Sequence, residues 1–388
     1  MKPDNLWMPL DTSNESREKI WAQSRSFSQD VWYRFRRKPT AILGLVMLVL
    51  VSLFSIVGPF FTPFTYSEQN LQFANVPPRL PITTLEGFDN LFHITHGLRV
   101  IEITPQGQLV RQLLLEQDDH NQRRMIFAYD DYREIILDYT ERPLMLLDQN
   151  GERVTPEGHV WNRTYRFGTD HLGRDILTRL MFGGRISFII ALIAVLANMV
   201  IGTVYGSISG YFGGVVDDIM MRIVDIINTI PVMLYVILIK VAMGGAGGLA
   251  PMIIALSSVY WVSMARVVRG QVLSLRAQEF VLASRTIGTG TKDIVFRHLV
   301  PNTMGPILVT ATMLIPTAIF LEAFMSFIGI GIAPPMASLG TMSNDATAAM
   351  RSAPYQLFMP AALICILMFA FSFAGDGLRD ALDPKLKK

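Results

Sequence analysis

Apolar residues in this chain mostly come in unbroken runs instead of alternating with polar ones. The first run, 41–61, has 21 residues. At about 1.5 Å per residue it makes a helix of roughly 31 Å, close to the hydrocarbon thickness of a bilayer. Five more runs follow at 186–208, 226–243, 249–264, 305–328 and 357–374. Each predicts a membrane-spanning helix. The fourth is short, and its helix has room to continue past Arg266 and Arg269. The pattern predicts an all-α polytopic membrane protein with six transmembrane helices. Gly and Pro interrupt several runs, as at Gly202, Gly206, Pro316, Gly329 and Gly331. Membrane helices tolerate them, because neighbours satisfy the freed backbone groups and small residues allow close packing.

Between the first two runs the pattern changes. Residues 62–165 carry short apolar stretches broken by turn signals. Residues 98–104 alternate as a strand does, and 107–115 can pair with them across Pro105, Gln106 and Gly107. Asp130 and Asp131 separate the runs 125–129 and 134–139, and Asn150-Gly151 is a strong hairpin signal within 144–154. This segment predicts a small β-rich domain inserted between the first and second spans. It serves either to dock an external protein, or to shield a pore mouth, or as a structural elaboration.

Composition agrees with a membrane location: 51% of residues are hydrophobic and 17% charged, against about 25% charged in soluble domains. Charge distribution sets the sidedness. Arg34, Arg36, Arg37 and Lys38 precede the first run, so segment 1–40 is expected in the cytoplasm. The insert is then extracytoplasmic, and 271–301 is cytoplasmic. Six crossings return the carboxyl terminus inside, where Arg379, Lys385, Lys387 and Lys388 agree. The first run is too long and too far from the amino terminus for a cleavable signal peptide. Cys365 is the single cysteine, which excludes an intrachain disulfide and a zinc cluster. Basic residues follow the topology, so no nucleic-acid partner is expected.

Few residues suggest chemistry. Asp170, Gly173, Arg174 and Asp175 precede the second span. They read as an entrance or gate, or as an ionic network in which Asp170 caps the following helix. Glu322 lies within the fifth run, where a charge is costly and faces protein or water. It either lines a translocation path or pairs with a basic residue. Lys240 is expected to snorkel to the interface. His93 and His96 are a weak metal signal without a third ligand. Gly288 to Lys292 lacks the spacing of a phosphate loop. No nucleophile–base arrangement is present in the sequence, so an enzyme is not expected.

Segment 278–302 places Leu282, Ala283 and Ser284 three residues before Gly288, with Pro301 closing the pattern after Arg297 and His298. It resembles the cytoplasmic coupling loop of ABC-importer permeases. Leu282 stands where the family has Glu and Ser284 where it has Ala; Glu279 lies nearby. The ending 296–302, together with segments 167–187, 210–217 and 375–384, resembles the C-type permeases of dipeptide and oligopeptide importers. The likeness covers about 167–385 and the first span, and the insert is expected to lie outside it. The resemblance implies a type I ABC importer permease fold with a permease core at 166–388. It implies a function in oligopeptide uptake, with dipeptides, nickel, glutathione or antimicrobial peptides as alternative cargo. A membrane sensor is the more distant reading. The implied partners are a homologous B-type permease, two cytoplasmic ABC ATPases carrying ATP and Mg, an extracytoplasmic peptide-binding protein and membrane lipid. This chain itself would hold no cofactor. The implied coupling residues are Glu279, Leu282, Ala283, Ser284, Gly288, Arg297, His298 and Pro301.

Overall fold

A computed structural model of the chain describes residues 26–130, 132–148, 151–244 and 248–382. In chain order its helices are α1 (Phe27–Arg36), α2 (Pro39–Ile56), α3 (Ile176–Phe212), α4 (Gly214–Thr229), α5 (Val232–Ala242), α6 (Leu249–Leu275), α7 (Glu279–Thr286), α8 (Thr291–Asp293), α9 (Val300–Phe327), α10 (Leu339–Ala346) and α11 (Tyr355–Leu382). A π-helical stretch, Ile294–Leu299, carries α8 into α9.

Among the described residues, five stretches are long and apolar enough to cross a membrane: α2, α3, α6, α11 and the continuous Thr291–Phe327. A sixth crossing requires α4 and α5 to count as one span, and they meet at 86°. The run 226–243 is therefore broken instead of straight. The break is at Ile230, which is extended (ψ 125°) before Pro231. Proline has no N–H to donate, and its ring disfavours a helical conformation in the residue before it. Elsewhere the helices outrun the apolar stretches. α3 spans 37 residues, and α6 continues past Arg269 to Leu275.

Glycines set the tightest helix contacts. Gly202, Gly206 and Gly210 repeat every four residues along α3 and face α6. A Cβ there would lie 2.5 Å from Met264 Cβ, 2.4 Å from the Ala265 carbonyl oxygen and 2.9 Å from the Arg269 carbonyl oxygen. The two backbones thus approach as in small-xxx-small membrane pairs. Gly44 does the same for α2 against α11, where a Cβ would meet Ala374 N at 2.6 Å. The main core lies among these helices, with Val195, Met264, Val268, Ile307, Ile319 and Leu367 buried together.

The insert consists of strands β1 (Arg79–Pro81), β2 (Leu91–Ile94), β3 (Val100–Ile103), β4 (Leu109–Gln112), β5 (Leu114–Asp119), β6 (Arg124–Ala128), β7 (Glu134–Asp138), β8 (Met145–Leu147), β9 (Arg153–Val154) and β10 (His159–Trp161). They form an antiparallel β1–β10 pair, a β2–β3–β4 sheet and a five-stranded meander β5 to β9. The hairpin expected across Pro105 to Gly107 is β3–β4, and the runs on either side of Asp130 pair as β6–β7 with Ile126 opposite Ile136. Asp131, Asn150 and the lysines at 385, 387 and 388 lie outside the described residues. Phe92, Val100, Leu113, Phe127, Ile135 and Leu146 make a separate core for the insert. A separate core follows from the sequence pattern, because alternating strands bury one face without help from the apolar runs.

Candidate functional site

The chain leaves α6 at Leu275 and re-enters the membrane through Thr291–Phe327. Between them α7 lies as a short helix with one buried side chain. Val281 is fully buried and packs in the cluster that contains Val272, Ile294, Val295 and Leu299. The rest of α7 faces outward: Phe280, Leu282, Ala283 and Ile287 are exposed, and so is Phe296 beside it. Exposed apolar side chains at the end of a spanning helix form a surface suited to a protein partner.

Gly288 ends α7. Its φ is +86°, and its amide donates to the Arg285 carbonyl while the Thr289 amide donates to that of Ser284. This is the Schellman arrangement, which requires a left-handed residue that glycine adopts without strain. Ser284 and Thr286 donate their hydroxyls to the carbonyls four residues back, at 2.8 and 3.0 Å. The sequence-predicted residues fall into three groups. Glu279, Leu282, Ala283 and Ser284 share α7; Arg297 and His298 sit on the π-helical stretch; Pro301 lies in the first turn of α9, directly after that stretch. The His298 carbonyl accepts from Asn302 Nδ2 at 2.6 Å. Sequence reading missed Arg276, which caps α6 and whose Nη1 donates to the Gly210 and Tyr211 carbonyls at 3.2 and 3.3 Å.

A second constellation lies where the insert meets the helices. Asp170 is buried. Its Oδ1 accepts from the Leu172 and Arg174 amides at 2.9 and 3.0 Å. Its Oδ2 accepts from Arg174 Nε at 2.6 Å and from Arg179 Nη1. Asp345 of α10 accepts from the same two guanidiniums at 3.0 and 3.3 Å. Asp170 therefore does not cap α3. The cap is Asp175, whose Oδ2 accepts from the Thr178 amide at 2.8 Å. Asp170 lies too far before the helix start and is taken up by its own turn. Burial alone raises the Asp170 carboxyl, but Arg179 and Arg174 outweigh it and hold it below the ordinary value. Among the described residues Asp175 has no such partner, and burial pushes it up against its bonds from Thr178. Gly173 belongs to the turn for a steric reason, since a Cβ there would lie 1.7 Å from the Asn70 carbonyl oxygen.

The network extends to α11. Tyr355 Oη donates to the Val76 and Thr169 carbonyls, each at 3.0 Å, and Gln356 Nε2 reaches Asn75 Oδ1 at 2.9 Å. Asp170, His171 and Asp345 bring ligand atoms within 4.8 Å of one another. Two guanidiniums already neutralise both carboxylates, so the cluster does not suit a cation. None of Arg179, Asp345, Tyr355 or Gln356 was legible as a partner, because 166 to 187 residues separate the long-range pairs with Asp345 and Thr169.

Among the described residues no basic side chain pairs with Glu322. It is wholly buried, and its carboxylate accepts from Ser187 Oγ at 2.5 Å and Ser326 Oγ at 2.9 Å. Three elements close around it: α3, α9 and the start of α10, whose Ser338 also bonds to it. Lys240 sits in the last turn of α5. Its Nζ donates to the Ile330 carbonyl at 3.0 Å, just past α9, where a cation meets the negative end of the helix dipole. His93 in the insert is buried, with Nδ1 2.9 Å from the Pro81 carbonyl oxygen. The donor there is the ring N–H, and burial lowers the pKa to about 4.

Comparison with known proteins adds independent findings. Residues 202–388 match the family described as binding-protein-dependent transport system inner membrane component. Residues 26–78 match the N-terminal TM domain of oligopeptide transport permease C. The chain is 39% identical over 386 residues to the oligopeptide transport system permease protein OppC of Bacillus subtilis, covering 100% of this chain and 99% of that one. It is 35% identical over 387 residues to the dipeptide transport system permease protein DppC of the same organism, covering 100% and 94%. Among solved structures, an inward-facing MetNI methionine ABC transporter aligns with TM-score 0.45 and 22% identity, over 53% of this chain and 96% of that one. The sequence reading placed the insert outside the family; the two full-length alignments run through 62–165 and place it within.

Proposed function

Because the chain belongs to the oligopeptide permease C family of binding-protein-dependent transport systems, we propose that it forms one membrane half of an ATP-driven importer of oligopeptides. A homologous permease forms the other half. Two cytoplasmic ATPases and an external peptide-binding protein complete the machine, and the insert and the α6–α9 connection face opposite sides of the membrane.

The observation that carries this reading is the form of α7. It is a short helix between two spanning stretches, anchored by the buried Val281 and exposing Phe280, Leu282 and Ile287. In this reading the ATPases grip the exposed face. When ATP brings them together, α7 moves with them. The buried anchor passes that movement to Ile294 and Leu299, and so to the base of α9. The cap at Gly288 keeps α7 a rigid unit, so the motion is not lost to fraying of its last turn. ATP shifts the equilibrium only if it binds one arrangement of the helices more tightly than the other. Ser187, Glu322 and Ser326 bond α3 to α9 within the subunit, so these two helices move together.

The test is uptake of a fluorescent oligopeptide into proteoliposomes that hold the assembled complex with its binding protein. ATP-dependent accumulation is expected, lost when the ATPases are omitted. Assembly of all components without uptake of peptides of any length would overturn the cargo assignment.

A further inference from the structure

Phe60 and Phe61, 80% and 83% exposed, follow directly on the end of α2. Beside them Tyr66 packs on Phe182 with ring centroids 4.9 Å apart, and Arg185 lies over the Phe182 ring. Arg185 Nη2 also donates to the Ile56 carbonyl at 3.0 Å. Aromatic and basic side chains gathered where two spans end mark the headgroup level of a bilayer.

Two hollows lie on either side of this level. Below it an apolar groove of about 250 Å³ runs between α2 and α3, lined by Val51, Ser55, Phe188, Leu192 and Leu367, with Arg185 among its walls. Ser55 is buried, and its hydroxyl has no partner among the described residues. A hydroxyl in that position is costly in a membrane unless something accepts from it. Above the level, at the base of the insert, lies a cavity of about 440 Å³ whose walls include Phe61, Gln108, Arg163, Arg166, Asp175 and Leu177. Arg163 and Arg166 are exposed, and neither guanidinium makes a hydrogen bond or ion pair among the described residues. The one carboxylate present, Asp175, is engaged by Thr178. From Leu177 to Gly184 is seven residues, about 10 Å along α3. That is close to two full turns, so the two hollows face the same way.

We infer that these hollows together hold one anionic glycerophospholipid, with an acyl chain in the α2–α3 groove and the headgroup between Arg163 and Arg166. The division of polarity is that of the molecule. The groove is apolar; Arg185 stands at the phosphate level; the upper cavity sets two exposed guanidiniums against one buried carboxylate. A zwitterionic lipid would leave the guanidiniums facing its own cation, so the site selects net negative charge. The bound lipid would fill the junction between the insert and the first two spans. This inference rests on the membrane location alone and not on the cargo.

The assembled transporter, placed in nanodiscs of phosphatidylcholine with a minor share of phosphatidylglycerol and then exchanged into detergent, is to be examined by native mass spectrometry. Preferential retention of phosphatidylglycerol is expected. Arg163→Gln and Arg166→Gln should each reduce it about fivefold, while the Lys variants retain it. Leu192→Trp, which fills the groove, should release both lipids. The three substituted residues are at the surface, so retained assembly is expected throughout. Equal retention of the two lipids by the unaltered protein, or undiminished phosphatidylglycerol in the double Gln variant, overturns the inference. Neither outcome bears on peptide uptake.

Discussion

The guanidinium of Arg285 on α7 lies over the ring of Tyr211, 4.9 Å from its centroid. Tyr211 stands at the end of α3, just before Gly213 and Gly214, both at positive φ (+65° and +51°), turn the chain into α4. Arg276 holds the carbonyl of the same tyrosine. The short helix therefore has two handles: Val281 on the base of α9, and Arg285 on the end of α3. Exposed cation–π contacts contribute about 0.5–1 kcal/mol, enough to bias a two-state motion several-fold.

Arg285→Gln and Tyr211→Leu should each lower peptide transported per ATP hydrolysed by about two- to fivefold, with assembly intact. The double variant should be no worse than the weaker single one. A double-mutant cycle on uptake and ATPase activity in proteoliposomes checks this. Additive losses would mean that the two residues act separately.

Replacing Gly288 separates backbone from contact. A Cβ there meets open space, so Gly288→Ala suffers only from the left-handed backbone, about 1–2 kcal/mol. It should fray the end of α7 and reduce coupling modestly. Gly288→Trp adds bulk on the surface assigned to the ATPases. It should abolish transport while the protein remains in the membrane. Normal peptide-stimulated ATPase activity in the Trp variant would count against the coupling role.

The Asp170 network predicts a graded loss of stability. Asp170→Asn leaves Arg174 and Arg179 buried with only the partly exposed Asp345 to balance them. A cost of about 3–5 kcal/mol is expected. Asp345→Asn should cost less, because Asp170 remains bonded to both arginines. Thermal unfolding of the purified variants, followed as loss of the monodisperse protein, ranks the two.

The insert should weaken in acid. His93 is lowered from 6.5 to about 4, first by burial, against its bond to Pro81. Between those values the unfolded chain binds a proton that the folded one refuses, so stability falls as pH drops from about 6.5 to 4. At about 1.4 kcal/mol per unit the loss approaches about 3 kcal/mol. Burial raises Glu102, but hydrogen bonds from Arg111, Asn90 and Tyr129 outweigh it and hold it below its ordinary value. Its contribution is lost at lower pH still. Hydrogen exchange of insert amides in the full chain, corrected for intrinsic rates, should show the decline. His93→Gln, which stays neutral and keeps a donor toward Pro81, should flatten it between pH 4 and 6.5.

The sequence by itself determined what depends on local pattern. Unbroken apolar runs specify spanning helices because each backbone group in a bilayer must bond within its own segment. Alternation with turn residues specified the hairpins of the insert. Gly288 was readable because a helix followed by a left-handed turn selects glycine whatever surrounds it. Tertiary structure decided what depends on partners distant in the chain. Whether Glu322 met water, a cation or serines turned on Ser187, 135 residues away. Lys240 found carbonyls 90 residues on, and Arg174 and Arg179 found Asp345 across 171 and 166 residues. A buried polar group is satisfied by whatever packing brings within about 3 Å, and spacing along the chain carries no record of that.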